Sequence, residues 1–176
     1  MRVWMPLVST VPALVLVVST PGLTQDWVVF RSDAGRFAVS MPGQPTESQS
    51  QQATPIGPIT NYGFGIKVDT QSYSVNYSDI PPIAMQFAGA DTIIGDAKGS
   101  LLKDTNGQEV SFTDVTVSGN PGKRLVYAIE GSQPSYGETY FLIVNNRLFV
   151  VNATVPKGSE ALAEKFLSSF QVLPAS

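Results

Sequence analysis

Ser100-Leu101-Leu102-Lys103 is the first place to look for chemistry in this chain, because it fits the Ser-x-x-Lys pattern of penicillin-recognising serine enzymes. In that chemistry the lysine eases proton loss from the serine hydroxyl, and a Ser-Asp-Asn triplet and a Lys-Thr-Gly strand complete the site. The chain contains neither of those companions. A short pattern without its confirming context is a chance match, and a serine and a lysine on a solvated helix face need no further explanation. Asp91, Asp96 and Asp104 put three carboxylates on one stretch, but not at the spacing of a calcium loop, which alternates oxygen ligands around an internal glycine and ends on glutamate. Helix capping and surface solvation account for them. Lys123-Arg124 follows a Pro-Gly pair, where paired bases ordinarily face water. Asn76-Tyr77-Ser78 and Asn152-Ala153-Thr154 match the glycosylation sequon, but both fall inside expected strands and not surface loops. Tyr62, Tyr73, Tyr77, Tyr127, Tyr136 and Tyr140 could line a binding face, although their default place is the core or its rim with the hydroxyl reaching out.

The composition narrows the classes further. The chain lacks cysteine, which excludes disulfides, a thiolate nucleophile, a zinc-thiolate site and a lipid-bearing cysteine. It also lacks histidine, the usual general base and the commonest metal ligand. The formal net charge is −3 with no basic cluster beyond Lys123-Arg124, so nucleic acid is an unsuitable partner. No catalytic residue, metal ligand or cofactor site is assigned. The expectation is a non-enzymatic protein.

The elements that would carry any site are legible as alternating patterns. Met1–Thr20 has one early charge, Arg2, and the apolar run Val11–Val18, too short for a comfortable membrane span. It reads as a secretory signal occupying residues 1–24, with an uncleaved anchor as the alternative. Either places residues 25–176, expected to form a single domain, outside the cytoplasm: periplasm, thylakoid lumen or secreted. Asp26–Arg31 and Arg36–Met41 flank a turn at Asp33-Ala34-Gly35 and form a first hairpin, closed off by Pro42-Gly43-Gln44-Pro45. Thr46–Thr54 is polar, either a linker or a solvated edge strand. In Ile59–Ile80, Tyr62, Phe64, Ile66 and Val68, and then Tyr73, Val75 and Tyr77, alternate with small and polar residues, the mark of a half-buried antiparallel hairpin turning at Asp69-Thr70.

At Ala90–Asp104 the apolar period becomes helical through Ile93, Ile94, Ala97, Leu101 and Leu102, with Asp91 as N-cap and Asn106-Gly107 as the stop. Gly95 and Gly99 weaken this helix and suggest close packing on a sheet. Gln108–Val117 changes parity at Thr113-Asp114, which predicts a bulge or turn there. Asn120-Pro121-Gly122 reads as a turn before the strand Lys123–Glu130. Thr139–Val155 forms the central hairpin about Asn145-Asn146, with Val144 opposite Arg147. Tyr140, Leu142, Val144, Phe149 and Val151 take one face. Phe141, Ile143, Leu148 and Val150 take the other, so both faces are apolar and need cover. Ser159 caps a last helix carrying Leu162, Ala163, Phe166, Leu167 and Phe170. With this helix on one face and that of Ala90–Asp104 on the other, the expected fold class is α+β: a mostly antiparallel sheet covered by helices on both faces, an α/β/α sandwich.

The motifs Phe30–Pro45 (FRSDAGRFAVSMPGQP), Tyr73–Pro81 (YSVNYSDIP), Asn120–Lys123 (NPGK), Arg147–Val151 (RLFVV) and Lys165–Phe170 (KFLSSF) resemble those of a group of small exported bacterial proteins common in cyanobacteria. The element order is similar to the PsbP-like fold of an extrinsic photosystem II subunit. That resemblance implies an extracytoplasmic accessory or binding role. A protein partner of unknown identity is expected, and association with the membrane surface is left open. It transfers no site: metal sites proposed for PsbP-like proteins involve histidine, which this chain lacks. The alternative role is a small-molecule or lipid carrier with a pocket between sheet and helix.

Overall fold

The structure is a computed structural model that describes residues 26–54 and 57–174. The leader expected at residues 1–24 lies outside them. The element order is β1 (Val28–Ser32), β2 (Phe37–Met41), β3 (Thr46–Thr54), β4 (Gly57–Val68), β5 (Gln71–Asp79), α1 (Pro82–Thr105), β6 (Gln108–Val117), β7 (Asn120–Ile129), β8 (Ser135–Val144), β9 (Arg147–Pro156), α2 (Glu160–Ser168) and β10 (Gln171–Val172). Seven strands form one antiparallel sheet in the order β3-β4-β5-β9-β8-β7-β6, and β1-β2-β10 form a second, small sheet.

The β8–β9 hairpin sits at the centre. Asn145 and Asn146 both take left-handed backbone angles, φ 50° and 63°, which a two-residue primed turn requires. The turn sets the register at Val144↔Arg147, and β9 then pairs with β5 along its other edge. Leu142, Phe149, Val151, Ala153 and Val155 point into the larger core, where they meet Phe37, Val39 and Met41 of β2 and Ala163, Phe166, Leu167 and Phe170 in and just after α2. Phe141 and Leu148 point the opposite way, into a smaller core with Leu125, Tyr127, Ile80 and Ile94 of α1.

The expected sandwich with helical layers on both faces is corrected. The molecule is mostly antiparallel β, ten strands in two sheets with two helices among the described residues. On the first face the cover is shared between α2 and the small sheet, because the β1–β2 hairpin folds back over the large sheet and captures Gln171 and Val172 as a third strand. On the second face α1 packs over β7 and β8. Towards β4 and β5 that face carries Asn61, Gly63, Gly65 and Lys67, opposite Ser78, Asn76, Ser74 and Ser72. A shallow depression there is lined by residues of β3, β4 and β5 alone. A face of serine, asparagine and glycine offers a helix nothing apolar to bury, so it stays open to water.

Several local expectations also shift. Thr46–Thr54 is the edge strand β3, exposed along nearly its whole length. α1 starts at Pro82, with Pro81 in the N-cap position, but non-helical angles at Gly89 (φ 75°, ψ 163°) break it into two helical pieces, so the helix expected from Ala90 is the second piece and Asp91 lies just beyond the break. Asn106 does end α1, in a left-handed conformation that lets its N–H reach the carbonyls of Leu102 and Lys103. Gly95 and Gly99 do not mark close packing, since a Cβ at either would meet nothing within 4 Å. The irregularity in β6 falls between Glu109 and Ser111, not at Thr113-Asp114. The turn after β6 is Ser118-Gly119, both with positive φ, and Asn120-Pro121-Gly122 already belongs to β7. Ser159 occupies the N-cap position of α2 but its side chain makes no capping hydrogen bond. Instead Glu160 accepts from the N–H of Gly158 at 2.9 Å.

Candidate functional site

The best-defined cavity opens where the small sheet meets the turn end of the large one. It has a volume of about 340 Å³ and is bordered by Arg36, Asp79, Asn120, Asn145 and Arg147, with Val144, Phe149, Val172 and Leu173 supplying apolar surface. Five separated segments contribute, and strand pairing brings them together. Arg36 follows the tight β1–β2 turn with φ 55°. Its N–H donates to Asp33 O at 3.3 Å and its carbonyl accepts from Leu173 N–H at 2.8 Å, so its backbone is tied to both the start of the β1–β2 turn and the chain beyond β10.

Arg147 is held more firmly. The pairing of β5 with β9 places it directly opposite Asp79. Its Nε and Nη2 donate to the two carboxylate oxygens at 2.6 and 2.9 Å, and its Nη1 donates to Ala34 O at 2.7 Å. The guanidinium lies 4.4 Å from the centre of the Tyr77 ring. Hydrogen bonding from Arg147 holds the Asp79 carboxyl below its ordinary pKa, with the charges of Arg147 and Arg36 acting in the same direction. No described residue forms a salt bridge with Arg36. The charged border of the cleft therefore carries two cations against one anion, in a chain whose formal net charge is −3.

Two further polar clusters lie within the fold. Glu138, only 2 % exposed, accepts from Arg124 Nε at 2.6 Å and from Tyr136 Oη at 2.8 Å. Burial first, and then the neighbouring carboxylate, push the Tyr136 phenol up. On the opposite face Tyr127 Oη donates to Asn152 Oδ1 at 2.8 Å and lies 3.1 Å from Thr154 Oγ1, while Thr139 Oγ1 also donates to Asn152 Oδ1 at 2.8 Å. Each cluster satisfies its own buried groups, the condition that lets polar atoms sit in a core.

The sequence motifs are scattered by comparison. Ser100 and Lys103 are both exposed on α1 and share no hydrogen bond. Asp91, Asp96 and Asp104 lie along the same helix, and the described residues contain no group of three or more acidic side chains placed to hold a metal ion. Lys123 pairs with Asp114 at 2.6 Å across the β6–β7 hairpin, and Arg124 points to Glu138. The sequon asparagines Asn76 and Asn152 are mid-strand, and Asn152 is committed to the Tyr127 network. Of the tyrosines, Tyr73, Tyr77 and Tyr127 are buried. Desolvation lifts the Tyr73 phenol to about 12.

Sequence reasoning missed Arg36, Asp79 and Arg147 as a group, and missed the buried Glu138. A signal for Glu138 existed: strand parity puts it on the same face as Tyr140 and Leu142. The Asp79–Arg147 pair has no signal in spacing, because it depends on β9 inserting beside β5.

No family model matches the chain, and no curated protein does. Among solved structures it is similar to cyanobacterial PsbP (CyanoP) from Synechocystis, with a TM-score of 0.56, 14 % identity, and coverage of 89 % of this chain and 98 % of that one. The fold is therefore PsbP-like. A protein from Bacteroides thetaiotaomicron aligns with a TM-score of 0.46 and 17 % identity over 83 % of this chain and 48 % of its own. A protein of unknown function from Pseudomonas aeruginosa aligns at 0.42 and 12 % identity over 85 % and 98 %.

Proposed function

We propose that this protein is an extracytoplasmic accessory module that acts by binding and not by catalysis. The observation that carries the reading is the make-up of the cleft. Its charged groups are already committed to holding one another in place, or stand free as guanidinium donors. Ser118, the hydroxyl at its border, accepts the N–H of Val172 at 3.1 Å. Such groups fix and orient an occupant, and no nucleophile stands there beside a base. The PsbP-like fold, shared along nearly the full length of CyanoP, supports an accessory role by analogy of fold. Arg2 and the apolar run Val11–Val18 support export. The carrier alternative envisaged a pocket between sheet and helix, whereas this cleft lies between the two sheets and opens at their turn end.

The test is mild cross-linking in the native host, followed by affinity capture of the tagged full chain from fractionated cells. A defined partner recovered with the chain outside the cytoplasm supports the reading. Recovery of the chain alone, or from the cytoplasm, refutes it.

A further inference from the structure

We propose that the cleft bordered by Arg36 and Arg147 is a carboxylate-binding site for an occupant with an apolar group next to its carboxylate.

The charge argument comes first. Asp79 neutralises Arg147 through two hydrogen bonds, which leaves Arg36 as the uncompensated charge among the charged residues bordering the cleft. The Arg36 side chain is exposed and close enough to Asp79 to lower its pKa, so it stands at the same mouth. An exposed arginine elsewhere on a protein is simply solvated. This one has a backbone fixed at both its N–H and its carbonyl, so its side chain leaves the chain at the cleft border.

Geometry adds a second donor. Asp79 and Ala34 take the Nε of Arg147 and one N–H from each of its terminal nitrogens, so each terminal nitrogen keeps another N–H. The orientation of this fork is set by Asp79, by Ala34 O and by the Tyr77 ring, so little conformational freedom remains to be lost on binding. Planar guanidinium forks match a carboxylate, which takes two parallel hydrogen bonds.

The apolar part of the lining narrows the class. Val144, Val172 and Leu173, all half-buried, give the cleft its accessible apolar surface, beside Phe149, which is itself 1 % exposed. A volume of about 340 Å³ stands at the small end of ligand sites. A bare inorganic anion would leave that apolar surface wet. A polyanion would meet a single net positive charge and the Asp79 carboxylate. A monocarboxylate with an aryl or branched alkyl body uses both parts. The same chemistry is offered by a free organic acid and by the carboxyl end of a protein chain that finishes on an apolar residue.

The inference rests on reading the protein as a binding module, and its test is separable from the capture experiment. The full chain is titrated with 4-phenylbutyrate and its neutral amide, and with an acetylated tripeptide ending in leucine, with a free or an amidated end. Backbone amide resonances of Asn145, Val172 and Leu173 are followed by NMR. The expected result is saturable shifts at these amides with one or both carboxylates at up to about 10 mM, and none with their neutral counterparts. Arg36→Gln weakens that binding by about tenfold, the loss of a charge-assisted hydrogen bond. Arg31→Gln, on β1 in an exposed pair with Asp33, leaves it unchanged. Shifts with the organic acid alone assign the site to free acids, and shifts with the peptide alone assign it to a chain end. Equal binding of acid and amide, an Arg36→Gln variant that binds like the wild type, or no shift with either carboxylate overturns the proposal. A failed titration beside a partner still captured from the host refutes the cleft assignment alone.

Discussion

Replacing Gly137 by alanine should destabilise the protein through a single side chain, Tyr127. The two residues face each other across β7 and β8. A Cβ built at Gly137 would lie 2.0 Å from Tyr127 Cζ and 2.3 and 2.4 Å from its two Cε atoms, so the phenol ring lies flat over the glycine. The ring cannot slide away cheaply. It is fully buried, a Cβ at Gly107 would come within 2.6 Å of its Cδ2, and its hydroxyl is anchored on Asn152 and Thr154. Overfilling a packed site costs about 1–3 kcal/mol. Dragging the hydroxyl off its partners adds about 1 kcal/mol for a lost hydrogen bond. A total near 3 kcal/mol is a large share of the roughly 5–15 kcal/mol that holds a domain folded. The assay is urea unfolding of wild type, Gly137→Ala, Tyr127→Val and the double variant. With the ring gone the added methyl has room, so Gly137→Ala should cost less than about 0.5 kcal/mol in the Tyr127→Val background, giving a coupling of about 2–3 kcal/mol. Additive effects, or a Gly137→Ala single variant as stable as wild type, would refute the reasoning.

Gly95→Ala and Gly99→Ala should each raise stability by about 1 kcal/mol in the same urea assay, because a methyl meets nothing at either site and alanine is the better helix former. Gly89→Ala should lower it, since φ there is 75°. Arg147 depresses the Asp79 carboxyl, so the stability this pair contributes is present above the ordinary carboxylate pKa and fades as pH falls through the depressed one. Asp79→Asn should therefore flatten the acid side of the Tm–pH profile, by a modest amount because the Asp79 side chain is 64 % exposed, and an unchanged profile would contradict the pairing. Phe141→Asp places a carboxylate in a fully buried position and should abolish cooperative unfolding; a soluble variant with a sharp melt would show that side of β8 not to be interior.

The central hairpin was legible because its information is local. Asn145-Asn146 dictates the turn, the turn dictates the register, and period-two parity then assigns each side chain to a face. The extension from that hairpin to a whole sheet buried under two helical layers failed, and the sequence itself held the objection. Phe141, Ile143, Leu148 and Val150 make the second face apolar near the turn, but the same face continues through Thr139, Asn152 and Thr154 and then across to Ser72, Ser74 and Asn76. The alternation in Ile59–Ile80 already demanded water on one side of β4 and β5. Two local readings conflicted, and the one with the wider polar surface decided the architecture.

The cleft was illegible for a different reason. Arg36, Asp79, Asn120, Leu173 and the hairpin turn that carries Asn145 and Arg147 lie at separate points of the chain, and no spacing announces that they meet. Three long-range pairings create the site. β10, only two residues long, docks on β2 and carries Leu173 to Arg36. β9 inserts beside β5 and sets Arg147 against Asp79. The β1–β2 hairpin folds over the large sheet, so that Ala34 O closes on the Arg147 guanidinium. Arg147 thus joins the two sheets while also lining the opening between them. The contacts that orient its fork also hold the small sheet in place, so any change that loosens the small sheet must also loosen the site.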